Sequence, residues 1–216
     1  MKKMAILVAL ISGTALPSVI AAERTIEIQS FTSVNVQNGI ALTIKCATTP
    51  SLKAKGTQSS INKLNISRDN DTLNLINEAA KEDNFLTSGV KITLYTDKPL
   101  KNLSTKSGVK TQVDACAVDS ENLAVSGEMG SKIDVAGKTK YLDLTLEMGA
   151  VFNKSAQKFS ANSAKVNLSM GASASLCHIP QITASLTAGT QIFVDEDAVV
   201  KTTDNFASEI STDVCS

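Results

Sequence analysis

Leu142-Asp143-Leu144-Thr145-Leu146-Glu147-Met148-Gly149 alternates apolar and polar side chains without a break and stops at a glycine. Strict alternation is the period of a β-strand, because a helix turning once in about 3.6 residues would carry the pattern across its faces. Three other stretches superimpose on this one when their glycines are aligned: Leu123–Met129 before Gly130, Ala164–Met170 before Gly171, and Ile182–Ala188 before Gly189. The four glycines lie 19, 22 and 18 residues apart. With each glycine as zero, positions −7, −5, −3, −1, +3 and +5 hold 22 apolar residues in 24 slots, the exceptions being Gly127 and Lys154. Positions −6, −4, −2, +2 and +4 hold only three in 20, Ala124, Val151 and Phe193. A strand-like repeat near twenty residues predicts an all-β solenoid, each repeat burying its apolar face against its neighbours.

The parity assigns odd positions to the core and even positions to solvent. Met129, Met148 and Met170 at −1 are therefore expected inside, stacked and ending at Ala188, as packing residues rather than a copper or redox motif. Position +1 holds small residues, Ser131, Ala150, Ala172 and Thr190, suited to a tight bend beside the glycine. Ser107-Gly108 reads as a fifth, less regular copy. Upstream, Val34–Ile44, Leu64–Ile66, Leu73–Ile76 and Val90–Tyr95 alternate like strands with longer loops between them, and Asn77–Asn84 is a short helix or an exposed loop. Residues 23–216 are read as one domain with its regular part at about 103–196, and no Pro/Ser-rich linker divides it.

Residues 1–22 read differently. Lys2 and Lys3 precede an apolar run, Met4–Ile11, and a small-residue exit through Pro17 to Ala21-Ala22, which is the pattern of a secretory signal peptide. No cysteine stands at the exit to take a lipid, and no segment approaches the roughly 20 apolar residues of a membrane helix. Without the leader the chain carries 19 Lys+Arg against 21 Asp+Glu, a net −2, which gives no basis for binding nucleic acid. A periplasmic or secreted protein is expected. Four cysteines, Cys46, Cys116, Cys177 and Cys215, then favour two disulfides over free thiols or zinc. Cys46 and Cys116 follow Gly39 and Gly108 at similar phases of the repeat, which favours Cys46–Cys116 and Cys177–Cys215.

The opening Val34–Ile44 with Asn38-Gly39-Ile40, the strand Ile92–Leu100 ending in Pro99-Leu100, and the rungs Ser107-Gly108, Ser126-Gly127, Met148-Gly149 and Met170-Gly171 resemble the head-GIN-domain family of autotransporter adhesins. The resemblance spans roughly residues 28–205. It implies a right-handed parallel β-helix of the bacterial envelope, without catalytic residues to carry across. The methionine before three of the glycines departs from the family's Ser-Gly rungs, and the chain has no β-barrel translocator segment.

Outward slots are where function would sit. Ser126, Thr145, Asn167 and Ser185 at −4, and Glu128 and Glu147 with Ser169 and Thr187 at −2, should form vertical ladders with a step of about 4.8 Å. Glu128 above Glu147 has the spacing of a glycosidase carboxylate pair, but a flat hydroxyl-lined sheet lacks the cleft and aromatic platforms of a sugar-cleaving site. His178, the sole histidine, sits beside Cys177 before Ile179-Pro180 with no partner for hydrolytic chemistry. Three function classes follow: a non-catalytic binding module for a glycan, extracellular matrix or cell-surface polymer; a polysaccharide-acting enzyme, by analogy of fold alone; and an assembly protein forming oligomers through its solenoid ends. The first is expected, with no cofactor and no metal.

Overall fold

A computed structural model describes residues 21–82, 89–154, 158–212 and 215. Of the expected leader, all but Ala21 and Ala22 lies outside the described residues; these two open the first strand. The chain forms nineteen strands in two large mixed sheets, with two short helices and one 3-10 turn among the described residues.

The N-terminal part comprises β1 (Ala21–Glu27), β2 (Ser33–Gln37), β3 (Ala41–Cys46), β4 (Ser51–Thr57), β5 (Leu64–Asp69), β6 (Thr72–Asn77) and β7 (Lys91–Thr96). Helix α1 (Gln58–Asn62) is capped by the Thr57 hydroxyl, which accepts from the Ser60 amide at 3.1 Å. Helix α2 (Ala79–Glu82) occupies part of the stretch that the sequence left as helix or loop. Here the pairing is irregular: β4 runs antiparallel to both β1 and β7, and β5 antiparallel to β6.

From Asn102 onward the chain alternates between the sheets. Into the nine-stranded sheet go β8 (Asn102–Lys106), β10 (Asn122–Glu128), β12 (Gly137–Leu146), β14 (Phe159–Leu168), β16 (Gln181–Thr187) and β18 (Val199–Phe206). Into the ten-stranded sheet go β9 (Lys110–Val113), β11 (Lys132–Val135), β13 (Val151–Phe152), β15 (Ser173–Ser175), β17 (Gln191–Phe193) and β19 (Glu209–Ser211). Every pairing among these twelve strands is parallel, and glycine-aligned residues are register partners: Val125 opposes Leu144, Leu144 opposes Val166, Val166 opposes Ala184. The repeat read from the sequence is the repeat of the fold.

Side chains from both sheets form one hydrophobic cluster, including Leu144, Leu146, Val166 and Leu186 from one sheet and Ile133, Phe152 and Ile192 from the other. Phe152 and Phe159, both buried, meet edge to face at 5.9 Å between ring centres. Gly127, an exception to the apolar pattern, has a packing reason. A Cβ there would lie 3.0 Å from Ile133 Cδ1 and 3.0 Å from Leu146 Cδ2, so a larger residue has no room. In the Ser107-Gly108 copy, Thr105 and Thr111 are buried in odd slots beside Leu103, Val109 and Val113.

The expectation for the −1 methionines is wrong. Met129, Met148 and Met170 are 46%, 44% and 56% exposed, whereas Ser131, Ala150 and Ala172 at +1 are fully buried. The cause is the corner backbone. Met148 and Gly149 have φ of 49° and 70°, and the Ala150 amide donates back to the Glu147 carbonyl at 3.2 Å, giving a β-turn with two left-handed residues of the type I′ kind. Two such residues rotate the −1 side chain out of the strand's alternation. Inward parity resumes only at +1. Glycine is needed at zero for its φ and not for space, since an added Cβ at Gly149 would meet nothing within 4 Å.

Both disulfides form as paired from the sequence, Cys46–Cys116 and Cys177–Cys215. Closing loops of 70 and 38 residues, each contributes about 4 kcal/mol in the chain-entropy account. At the other end, Glu23 on β1 bonds Lys53 at 2.6 Å and Lys55 at 2.9 Å on β4, and the two ammonium groups hold its carboxyl below the usual range.

Candidate functional site

The −4 ladder lies on the outer face of the nine-stranded sheet. Ser126 opposes Thr145, Thr145 opposes Asn167 and Asn167 opposes Ser185, all on adjacent parallel strands and all half-buried. The row extends upstream through Ser104, Asn35 and Asn74, the last two joined by an amide hydrogen bond of 3.2 Å. It ends at Asp204, whose carboxylate accepts from Ser185 Oγ at 3.3 Å. Short amides and hydroxyls at a strand spacing of about 4.8 Å thus present donors and acceptors in a regular line.

In the −2 row, Glu128 is the one of the two glutamates with an ion pair among the described residues. Glu128 bonds Lys106 Nζ at 2.7 Å and is its register partner, so the carboxylate stands in an exposed ion pair. Glu147 follows Glu128 in the row, held by its amide bond to the Gly127 carbonyl at 2.9 Å. Neither glutamate lines the two main grooves of the face.

The concavity lies on the other side of the −4 row. One groove of about 990 Å³ is lined by Tyr141, Asp143, Lys165, Gln181, Thr183 and Lys201 among others. A second, of about 470 Å³, reaches Asn35, Ser104, Ser126 and Thr145. They share Asn102, Ala124 and Asp143 and so adjoin as one trough across the outer face of the sheet. Tyr141 is 58% exposed, with its ring unburied at the trough wall. Beside it Lys140 donates to Glu121 at 2.8 Å, a contact that raises the Lys140 pKa.

Sequence reasoning named the −4 and −2 rows and missed the −6 and −8 rows that carry Tyr141, Asp143, Lys165 and Lys201. A signal was present: Tyr141 is one of two tyrosines in the chain and stands on an outward slot of the most regular repeat. Its value as an aromatic wall depends on the groove that several strands line together, which alternation within one strand does not encode.

Cys177, Asp195 and Cys215 come close enough to hold a metal, but the two sulfurs are bonded to each other. A disulfide sulfur is no thiolate ligand. His178 lies at an exposed corner with a positive φ of 65°, its amide donating to Asp195. In its disulfide Cys177 is not available as a nucleophile. No helix among the described residues is long and apolar enough to cross a membrane.

Parallel strands in two facing sheets, glycine corners and a long polar outer face define a β-repeat protein that displays a surface. The family described as "Putative auto-transporter adhesin, head GIN domain" matches residues 30–198, and the chain belongs to that family. A crystal structure of a "putative adhesin" from Bacteroides fragilis is similar at a TM-score of 0.69 and 13% identity, covering 90% of this chain and 98% of that one. A "putative lipid binding protein" from Parabacteroides distasonis is similar at a TM-score of 0.51 and 15% identity, covering 88% and 96%. At these identities the likeness is one of fold. No curated protein matches the chain. Family and disulfides together fit an extracellular or envelope protein.

Proposed function

We propose that this protein is a non-catalytic, exported envelope module that binds a glycan or another polar surface polymer along the outer face of its nine-stranded sheet. The observation that carries the reading is the continuous trough, with the Tyr141 ring on its wall, Asp143 at its centre and the Ser126–Thr145–Asn167–Ser185 row along its side. An exposed aromatic ring stacks on a sugar, and short amides, hydroxyls and a carboxylate take its hydroxyl groups. Repeated groups at strand spacing suit a repeated ligand.

On this reading, the alternation of repeats between sheets is the winding of a right-handed parallel β-helix, residues 23–216 act as one domain, and export removes residues 1–22. Neither the Glu128–Lys106 ion pair nor the open −2 row supports turnover of a polysaccharide. The test is attachment of the mature protein to immobilised polysaccharides. Tyr141→Ala should weaken it about tenfold, equivalent to about 1.4 kcal/mol. Replacing Ser126, Thr145, Asn167 and Ser185 together by lysine should abolish it with the fold intact by circular dichroism. Glycan cleavage lost in Glu128→Gln or Glu147→Gln would overturn the reading.

One observation favours a second reading, self-association. The strands β18 and β19 are edges of their sheets, and Val199 and Phe206 are 69% and 74% exposed there. Open strand edges with apolar residues pair with other chains. Sedimentation showing concentration-dependent oligomers that Phe206→Asp dissolves would support it.

A further inference from the structure

The ten-stranded sheet carries a second, chemically different outer face. Its register places Lys55 of β4 opposite Lys91 of β7, Lys91 opposite Ala41 of β3, Ala41 opposite Lys110 of β9, and Lys110 opposite Lys132 of β11. At about 4.8 Å per strand, four exposed lysines fall on one line of about 19 Å, interrupted only by an alanine. Lys55 shares Glu23 with Lys53. For Lys91, Lys110 and Lys132 no ion pair occurs among the described residues.

Folding does not explain this column. Like charges directly opposite one another destabilise a sheet, and lysine is a poor strand former. Edge protection is not the reason, because β9 and β11 lie inside the sheet and its edges are β1 and β19. Nor is solubility, since the next column is mixed, Lys53, Thr93, Thr43, Gln112 and Asp134, with its one lysine paired to Glu23, and the same column beyond Val151 continues with Ser173 and Gln191. The alanine marks a hollow of about 290 Å³, floored by Ala41 and bordered by Thr43, Lys110, Gln112, Lys132 and Asp134.

We propose that this column is a binding site for a linear anionic glycan, with carboxylate or sulfate groups, lying across the strands. One ring sits over Ala41 with its acid group between Lys110 and Lys132. Gln112, Thr43 and Asp134 take its hydroxyl groups. Sugars extending along the axis then bring further acid groups to Lys91 and Lys55. Lysine suits this partner because its ammonium is a mobile point charge that follows carboxylates or sulfates along a chain, without the fixed fork of arginine. The site lies on a different sheet from the Tyr141 trough and stands or falls separately.

The experiment is titration of the full mature protein with oligogalacturonate, a heparin oligosaccharide, neutral dextran and a DNA duplex of matching charge, at several salt concentrations. The proposal expects binding to at least one acidic glycan and not to dextran. The carboxylate and sulfate arms identify which acid group is read. In K110Q/K132Q, affinity should fall at least tenfold and the slope of log Kd against log salt should drop by about two, one for each lost contact. That variant should melt no lower than wild type, since it relieves repulsion, while K138Q/K158Q should bind like wild type. No binding to either acidic glycan, equal binding of dextran or DNA, or the same loss in both double variants would overturn the proposal.

Discussion

The amide of Gly149 donates a 2.9 Å hydrogen bond to the carbonyl oxygen of Met170, the residue before the corner glycine of the next repeat. The same bond joins Gly39 to Ser107, Gly108 to Met129, Gly130 to Met148, Gly171 to Ala188 and Gly189 to Ala207. A single line of hydrogen bonds thus runs through the corners, and it fixes the register of strands on both sides. Beside this line the methionines stand outward as a ridge, with Ser107 Oγ 3.6 Å from Met129 Sδ at its start.

That ridge reverses the consequence expected of a core methionine. Met148→Lys should change stability by no more than about 0.5 kcal/mol, as at an ordinary surface site. Leu144→Lys, four residues earlier at a fully buried position, should prevent folding, because an unpaired ammonium cannot be accommodated in the core. Met148→Asn should raise the melting temperature, since asparagine tolerates positive φ better than methionine. Thermal melts of the three variants decide the matter, and similar melts for the two lysine variants would refute the assignment of faces.

Gly127 and Gly149 should fail for different reasons when changed to alanine. Gly127→Ala forces a methyl group against Ile133 and Leu146 and should cost about 1–3 kcal/mol by overpacking. Gly149→Ala meets no atom and should cost about 1–2 kcal/mol through its left-handed backbone alone. In the Gly127→Ala background, Ile133→Val should recover part of the loss. No such rescue is expected for Gly149→Ala, and chemical denaturation of the four variants measures both.

Thr190 is 1% exposed, and its hydroxyl has no hydrogen-bond partner among the described residues. Thr190→Val keeps the shape and removes an unsatisfied buried group, so it should stabilise the protein by about 1 kcal/mol. A denaturation midpoint that falls would show that the hydroxyl is bonded in solution.

All four cysteines should be oxidised in the exported protein. Thiol titration of denatured, unreduced protein should find none free, and Cys177→Ser with Cys215→Ser should lose about 4 kcal/mol. Protease should then cut first near the C-terminal strands. Two or more free sulfhydryls per chain would contradict the pairing.

The repeat, its phase and the disulfide pairing were legible because each rests on a local rule that survives in the fold: alternation, glycine at a corner, cysteines at similar phase. The methionines were misread because apolar character was taken for inward direction across a turn that two left-handed residues break. The −4 row follows from parity, whereas the trough beside it depends on several strands together and on the exposure of Tyr141. The lysine column is not legible along the chain because its four lysines come from β4, β7, β9 and β11, with Ala41 of β3 between them. Their vertical order, β4–β7–β3–β9–β11, is not the chain order and arises from the irregular N-terminal pairing.

The most direct test is a glycan array with the mature protein, followed by hydrogen-exchange footprinting with the best ligand bound. The account predicts protection over β10, β12, β14 and β16, the strands of the Tyr141 trough, for a neutral ligand, and loss of that footprint in Tyr141→Ala. Binding that leaves these four strands unprotected, or retention of the full footprint after Tyr141→Ala, would contradict it.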